Sequence, residues 1–133
     1  MIDIIVADTN VVSYIFKEDS RGALYEPHLA GKDVVISFVT LAELHRWAIS
    51  SNWGKTRKRK LEEYLNRFFV VHSNDALCHR WAELVESGKR KGRPIQPGDA
   101  WIAATALLHT VPLVTHNSKD FAGVEELTII SES

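Results

Sequence analysis

Short apolar runs alternate with longer stretches whose apolar residues recur every three or four positions. Ile2–Ala7 is a short apolar run and predicts a buried strand; Val11, Val12, Ile15 and Phe16 then fall at helical spacing. Val34–Ser37 predicts a second strand. Thr40 opens a helix with Leu41, Leu44, Trp47 and Ala48 on one face. Lys55–Arg67 predicts a further helix, with Leu61, Tyr64, Leu65 and Phe68 as its stripe, and Phe69–His72 a third strand. Asn74–Lys89 is helical through Leu77, Trp81, Leu84 and Val85. Lys89–Pro97, with Gly92, Pro94 and Pro97, is the clearest loop. Pro97-Gly98-Asp99 then starts an alanine-rich helix through Ala100–His109. Leu113–Thr115 and Leu127–Ile130 predict the fourth and fifth strands. Apolar strands alternating with helices predict an α/β fold with a parallel-stranded central sheet flanked by helices on both faces.

Composition narrows this picture. A length of 133 residues fits one domain over 1–133, and 45% hydrophobic with 25% charged residues can bury a real core. No apolar stretch approaches a membrane span, the start lacks the basic and apolar regions of a signal peptide, and the single Cys78 cannot form an internal disulfide. A cytoplasmic protein without a membrane contact is expected. The net charge of −1 hides an asymmetry: residues 55–93 carry +6 and the rest −7. Lys55, Arg57, Lys58, Arg59 and Lys60 are either a solvated helix face or, with Arg93, a surface for a polyanion such as RNA.

Ligands of open parallel sheets bind beyond the carboxyl ends of the strands. Acids and amides follow that edge here: Asp8 after the first strand, Glu43 past the second, Asp99 opening the alanine-rich helix, and Asn117 to Asp120 after the fourth. Carboxylates crowded together raise one another's pKa, and a divalent cation reverses that penalty. Oxygen-only ligands suit Mg²⁺ or Mn²⁺, which stabilise phosphate charge and lower the pKa of water. The competing explanation is helix capping. Asp8 would be an N-cap, Thr40-Leu41-Ala42-Glu43 a capping box, Asp99 a partner of the helix dipole, and Asn117-Ser118 a turn. Histidines show no zinc spacing, and His116 reads as a surface residue. Trp53, among polar residues, is the best candidate for stacking on a base, whereas Trp47 and Trp81 read as core.

Four segments in order carry a resemblance: Val6-Ala7-Asp8-Thr9-Asn10, Thr40-Leu41-Ala42-Glu43-Leu44, Gly98-Asp99-Ala100-Trp101-Ile102-Ala103-Ala104-Thr105-Ala106, and Leu113-Val114-Thr115-His116-Asn117-Ser118-Lys119-Asp120-Phe121. Together they resemble the PIN-domain nucleases, and more narrowly the VapC-type toxins of bacterial toxin–antitoxin pairs. The resemblance covers nearly the whole chain. It implies a three-layer α/β/α fold and a metal-dependent endoribonuclease, with transfer RNA a common target in the family. It also implies a small antitoxin as inhibitor and a homodimer. It assigns metal binding to Asp8 and Asp99, with Glu43 completing the acidic site, and gives Thr9 and Thr115 hydroxyls that orient ligands or water. The fourth acidic position is open: Asn117 stands where the family's acid falls, and Asp120 precedes Phe121. An arginine or lysine of the inhibitor could enter the acidic centre and block it.

Two other readings compete. A small-molecule phosphohydrolase of the haloacid-dehalogenase type needs a second Asp where Asn10 stands. A PIN-like module that binds RNA or protein with weak or no cleavage is the alternative function.

Overall fold

The computed structural model describes residues 3–133. Five strands form one parallel sheet: β1 (Ile4–Ala7), β2 (Asp33–Ser37), β3 (Phe69–Val71), β4 (Leu113–Val114) and β5 (Ile129–Ile130), in the order β3-β2-β1-β4-β5. The register sets Ile5 beside Val34 and Ala7 beside Val114. Six helices connect or cover the strands: α1 (Thr9–Phe16), α2 (Ser20–Leu29), α3 (Phe38–Ser50), α4 (Lys55–Leu65), α5 (Asp75–Arg90) and α6 (Pro97–His109). A 3₁₀ turn, Ser118–Phe121, follows β4. No described helix is long and apolar enough to cross a membrane.

Side chains alternate across each strand, so neighbouring residues enter different layers. Ile5, Ala7, Val34 and Ile36 join Val12, Tyr25, Leu44 and Leu61 in one core. Val6, Val35 and Leu113 face the other way and join Leu77, Ile102, Ala103 and Phe121. This is the predicted parallel α/β fold with helices on both faces. Helix α6 is buried almost all round, through Ala100 and Ile102–Ala106, and its small residues let it lie against β1, β2 and α5.

Several boundaries differ from the sequence expectation. The predicted first strand began at Ile2, which lies outside the described residues; the observed strand starts at Ile4. The last strand is shorter than predicted, because Leu127 packs in the core before pairing begins at Ile129. Helix α2 was not expected. Its apolar pattern is weak, it contains Gly22 and Pro27, and Gly22 and Tyr25 are its buried residues. The capping box at Thr40 is not formed. Helix α3 starts two residues earlier, and Ser37 caps it by accepting from the Val39 amide at 3.1 Å.

Candidate functional site

Strand order places β1 between β2 and β4. Chain direction therefore diverges from β1, and the switch point of the sheet lies at the carboxyl ends of β1 and β4, the edge where such sheets bind ligands. Asp8 sits at this point, the residue between β1 and α1, with only 5% of its surface exposed. The Asp8 amide donates to Val114 O at 2.9 Å, which fixes its backbone to β4. Its Oδ1 accepts from the Thr9 amide at 2.7 Å. Its Oδ2 accepts from Thr115 Oγ1 at 2.7 Å and from Asn10 Nδ2 at 3.3 Å. The Thr115 hydroxyl in turn accepts from the Asn117 amide at 3.0 Å, which directs its own proton to Asp8. Asp8 is thus an N-cap, as the capping explanation held, but one with more donors than a cap needs.

Glu43 comes from the first turns of α3, and its position follows from the register of that helix. The Thr9 hydroxyl lies 2.9 Å from Thr40 Oγ1 and 3.1 Å from Glu43 Oε1, and its single proton serves one of them at a time. Thr40 and Glu43 therefore join the Asp8 loop instead of capping their own helix. Asp99 stands in the first turn of α6, where Gln96 occupies the N-cap position without a side-chain hydrogen bond. Asp120 rises from the 3₁₀ turn and is exposed.

Three of these carboxyls, Asp8, Asp99 and Glu43, are raised, and the Asp120 charge acts on the first two. Burial raises the pKa of Asp8, and the Asp120 charge adds to it, against the opposing hydrogen bonds of Thr115, Thr9 and Asn10. Asp99 is pushed up to about 6, first by desolvation and then by Asp8, Asp120 and Glu43. Glu43 is raised by partial desolvation of its carboxyl and by Asp8, although the residue as a whole remains open to solvent. Among the described residues, no three His, Cys, Asp or Glu side chains close into a metal-ligand cage. The donor set is still that of a hard-cation site. It is all oxygen, it carries repulsion that a cation would relieve, and its openness leaves room for the water ligands Mg²⁺ keeps.

Of the residues singled out in the sequence, Asp8, Thr9, Glu43, Asp99, Thr115 and Asp120 come together. Asn117 is exposed, and its contact to this network runs through its backbone amide. The basic residues of α4 do not join the site. Helix α1 starts just after Asp8 and ends with Phe16 packed on Trp53 and Tyr64, and Lys17, Arg57 and Lys60 border a hollow at that end. An eight-residue helix, about 12 Å long, separates the two places. Trp53 is not free to stack on a base: Phe16 and Trp47 pack on it, and the Arg57 guanidinium lies 4.2 Å from its ring centroid. His116 is not a surface residue either. It is half-buried between the Tyr14 and Tyr25 rings, and Nδ1 bonds the Tyr25 hydroxyl.

Asn10 and Thr40 are the participants the sequence reading did not assign. Asn10 Oδ1 accepts from the His116 amide at 3.1 Å while its Nδ2 donates to Asp8, so one side chain ties the loops after β1 and β4. Its place two residues after Asp8 was the available signal.

Residues 5–127 match the PIN domain family. The protein named Ribonuclease VapC1 from Haemophilus influenzae (strain R2866) is 32% identical over 93% of this chain and 94% of its own length. Among solved structures, VapBC-1 from nontypeable Haemophilus influenzae superposes with a TM-score of 0.83 and 30% identity, over 96% of this chain and 97% of that one. VapBC-5 from Mycobacterium tuberculosis, described as a member of the VapBC family of toxin-antitoxin systems, gives 0.73 and 26%, over 96% and 98%.

Proposed function

The chain belongs to the PIN-domain family, and from that premise we propose that it is a metal-dependent endoribonuclease, the toxin of a toxin–antitoxin pair. The observation that carries this reading is Asp8. It is a buried carboxylate with three side-chain and main-chain donors, set beside three further acids at the switch point of the sheet.

Asp8, Asp99 and Glu43 would hold Mg²⁺ or Mn²⁺. When bound, such an ion stabilises charge on the phosphate and lowers the pKa of water. The remaining work belongs to the chain. Thr115, Asn10 and the Thr9 amide hold Asp8 in one orientation and oppose the upward pull of burial on its pKa. The Thr9 hydroxyl, which also meets Thr40 Oγ1, steadies the otherwise exposed Glu43. Asp99, pushed up to about 6 by desolvation and by its acidic neighbours, carries repulsion that a bound cation would relieve. Asp120 adds negative charge at the rim and is the better candidate for the fourth acid, because its charge reaches both Asp8 and Asp99. The Lys55–Lys60 stretch would act at a distance, drawing RNA to the protein electrostatically.

Incubating purified protein with an RNA panel that includes transfer RNA, with and without Mg²⁺ or Mn²⁺, tests this function. Cleavage should need the ion and should disappear in Asp8→Asn, which excludes contaminating nucleases. Binding without cleavage under every condition would instead make the chain an RNA- or protein-binding module. A cognate antitoxin should silence the activity, and a homodimer is the expected assembly.

A further inference from the structure

A groove of about 310 Å³ runs between α5, the loop over residues 91–96 and the 3₁₀ turn. Its apolar floor is Leu84, Ile95, Leu107 and Val124. That volume is at the lower end of small-ligand sites, roughly 300–1,000 Å³. It suits one nucleotide and is too small for a packed helix. Cations and acids share the rim, but they are not equally committed. Arg80 pairs with Glu126 at 2.7 Å and Glu83 at 3.6 Å, and Lys91 pairs with Glu125 at 3.6 Å. Among the described residues, Arg90, Arg93 and Lys119 form no ion pair, so three positive charges stay available for an anion.

The backbone is shaped to place Arg93. A Cβ on Gly88 would lie 2.9 Å from Arg93 O, and one on Gly123 would lie 3.2 Å from Arg93 Cβ. Two positions without side chains therefore let the loop press between α5 and the segment after the 3₁₀ turn, with the Arg93 stem along Gly123. The same groove reaches the carboxylates from two sides. Asp120 lines it and also acts on Asp8 and Asp99. The loop that bears Arg93 leads directly into the first turn of α6, which bears Asp99.

We propose that this groove seats a nucleotide flanking the cleaved phosphodiester, with its base on the Leu84–Ile95–Leu107–Val124 floor and its phosphate against Arg93 and Lys119. The assignment rests on the ribonuclease reading. It makes the groove, rather than α4, the place where RNA is held in register with the carboxylates.

The test uses fluorescein-labelled single-stranded RNA and full-length protein. Binding is measured over a range of salt in the Asp8→Asn background, and cleavage in the wild-type background. Arg93→Gln with Lys119→Gln should weaken binding and lower the slope of log affinity against log salt by about 0.7 per cation removed. Arg93→Lys should restore most of the slope. Ser87→Phe, which fills the groove from α5 without changing charge, should weaken binding and leave the slope unchanged. In the cleaving protein both changes should raise the RNA concentration needed for half-maximal rate. Thermal melts establish that each variant is folded. Parental affinity and slope in the charge variant, together with parental affinity in Ser87→Phe, overturn the groove. If the wild type still cuts RNA in that case, only the groove assignment fails; a wild type that neither binds nor cuts removes the ribonuclease reading as well.

Discussion

Thr115 Oγ1 donates to Asp8 Oδ2 at 2.7 Å, joining residues 107 positions apart where β1 and β4 end. Neither group is free to do otherwise. The Asn117 amide occupies the acceptor side of the hydroxyl, and Asp8 is held by Thr9, Asn10 and its own amide bond to Val114. Thr115→Val keeps the shape and removes the donor. Hydrogen bonds to charged groups contribute about 1.5–3 kcal/mol, so stability near neutral pH should fall by an amount of that order. The pKa of Asp8 should rise further, which moves the acid limb of the cleavage profile to higher pH. Denaturant melts and a pH–rate profile read the two effects. A stability loss with an unmoved acid limb would reduce Thr115 to a packing role.

Asp99 gives a pH prediction with a definite sign. Its pKa is about 6 in the folded chain against an ordinary 3.8. The folded state then binds more protons than the unfolded state between these values, and stability must decrease as pH rises through that window. Asp99→Asn should reduce this slope, leaving the part that Asp8 and Glu43 contribute, and stabilise the ion-free protein at pH 7 by about 1–2 kcal/mol, after discounting for solvent around a half-buried group. A simple dipole partner at a helix start predicts the opposite sign. Melts of both proteins from pH 4 to 8 in EDTA decide between them.

Divalent ions should act in the reverse direction. An ion that binds only the folded chain stabilises it by mass action, and protons compete for the same carboxylates. Mg²⁺ or Mn²⁺ should therefore raise Tm more at pH 8 than at pH 5. Asp8→Asn and Asp99→Asn should blunt the shift at both. An equal response in the variants would favour caps without a cation site.

Much of this site was legible in the chain because parallel β-α topology puts every strand end on one edge. Asp8 could be placed there from a strand end alone, and Asp99 from Pro97-Gly98 ahead of an alanine-rich helix, while Thr115 entered through the family resemblance. What failed were features set by tertiary contacts. Thr40 and Glu43 satisfy a capping-box pattern, yet Ser37 supplies the cap and Thr9 claims both side chains. Helix α2 has no strong stripe because its close packing on α1 depends on Gly22, where a Cβ would meet the Ile15 backbone at 2.9 Å. His116 looked superficial because the two tyrosines enclosing it come from distant positions in the chain.

That correction separates cap from site by mutation. Ser37→Ala should cost about 1 kcal/mol, the usual effect of losing an N-cap, and leave the saturated cleavage rate near wild type. Glu43→Ala should do the reverse, with cleavage reduced at least tenfold and little stability lost, because the side chain is exposed. Matched melts and saturating-RNA kinetics distinguish them. A stability loss in Glu43→Ala as large as that of Ser37→Ala would return Glu43 to a capping role.

The fourth acid can be assigned by a ranking. Asn117 is the residue at the family's position, but its amide side chain is neutral and exposed, and its link to Thr115 is through the backbone. Asn117→Ala retains that link and should change cleavage by less than about twofold. Asp120 contributes a charge felt by Asp8 and Asp99, and a carboxylate binds a hard cation better than an amide does. Asp120→Asn should lower cleavage by roughly tenfold or more at limiting Mg²⁺, with partial recovery as the ion is raised, since one charged ligand of several has been lost. It should also lower the pKa of Asp99, because one of the charges that raises it is gone. Carboxyl titration followed by NMR reads that second effect without any cleavage assay. An unmoved Asp99 with the reverse kinetic ranking would place Asn117 in the inner site and leave Asp120 to the rim of the groove.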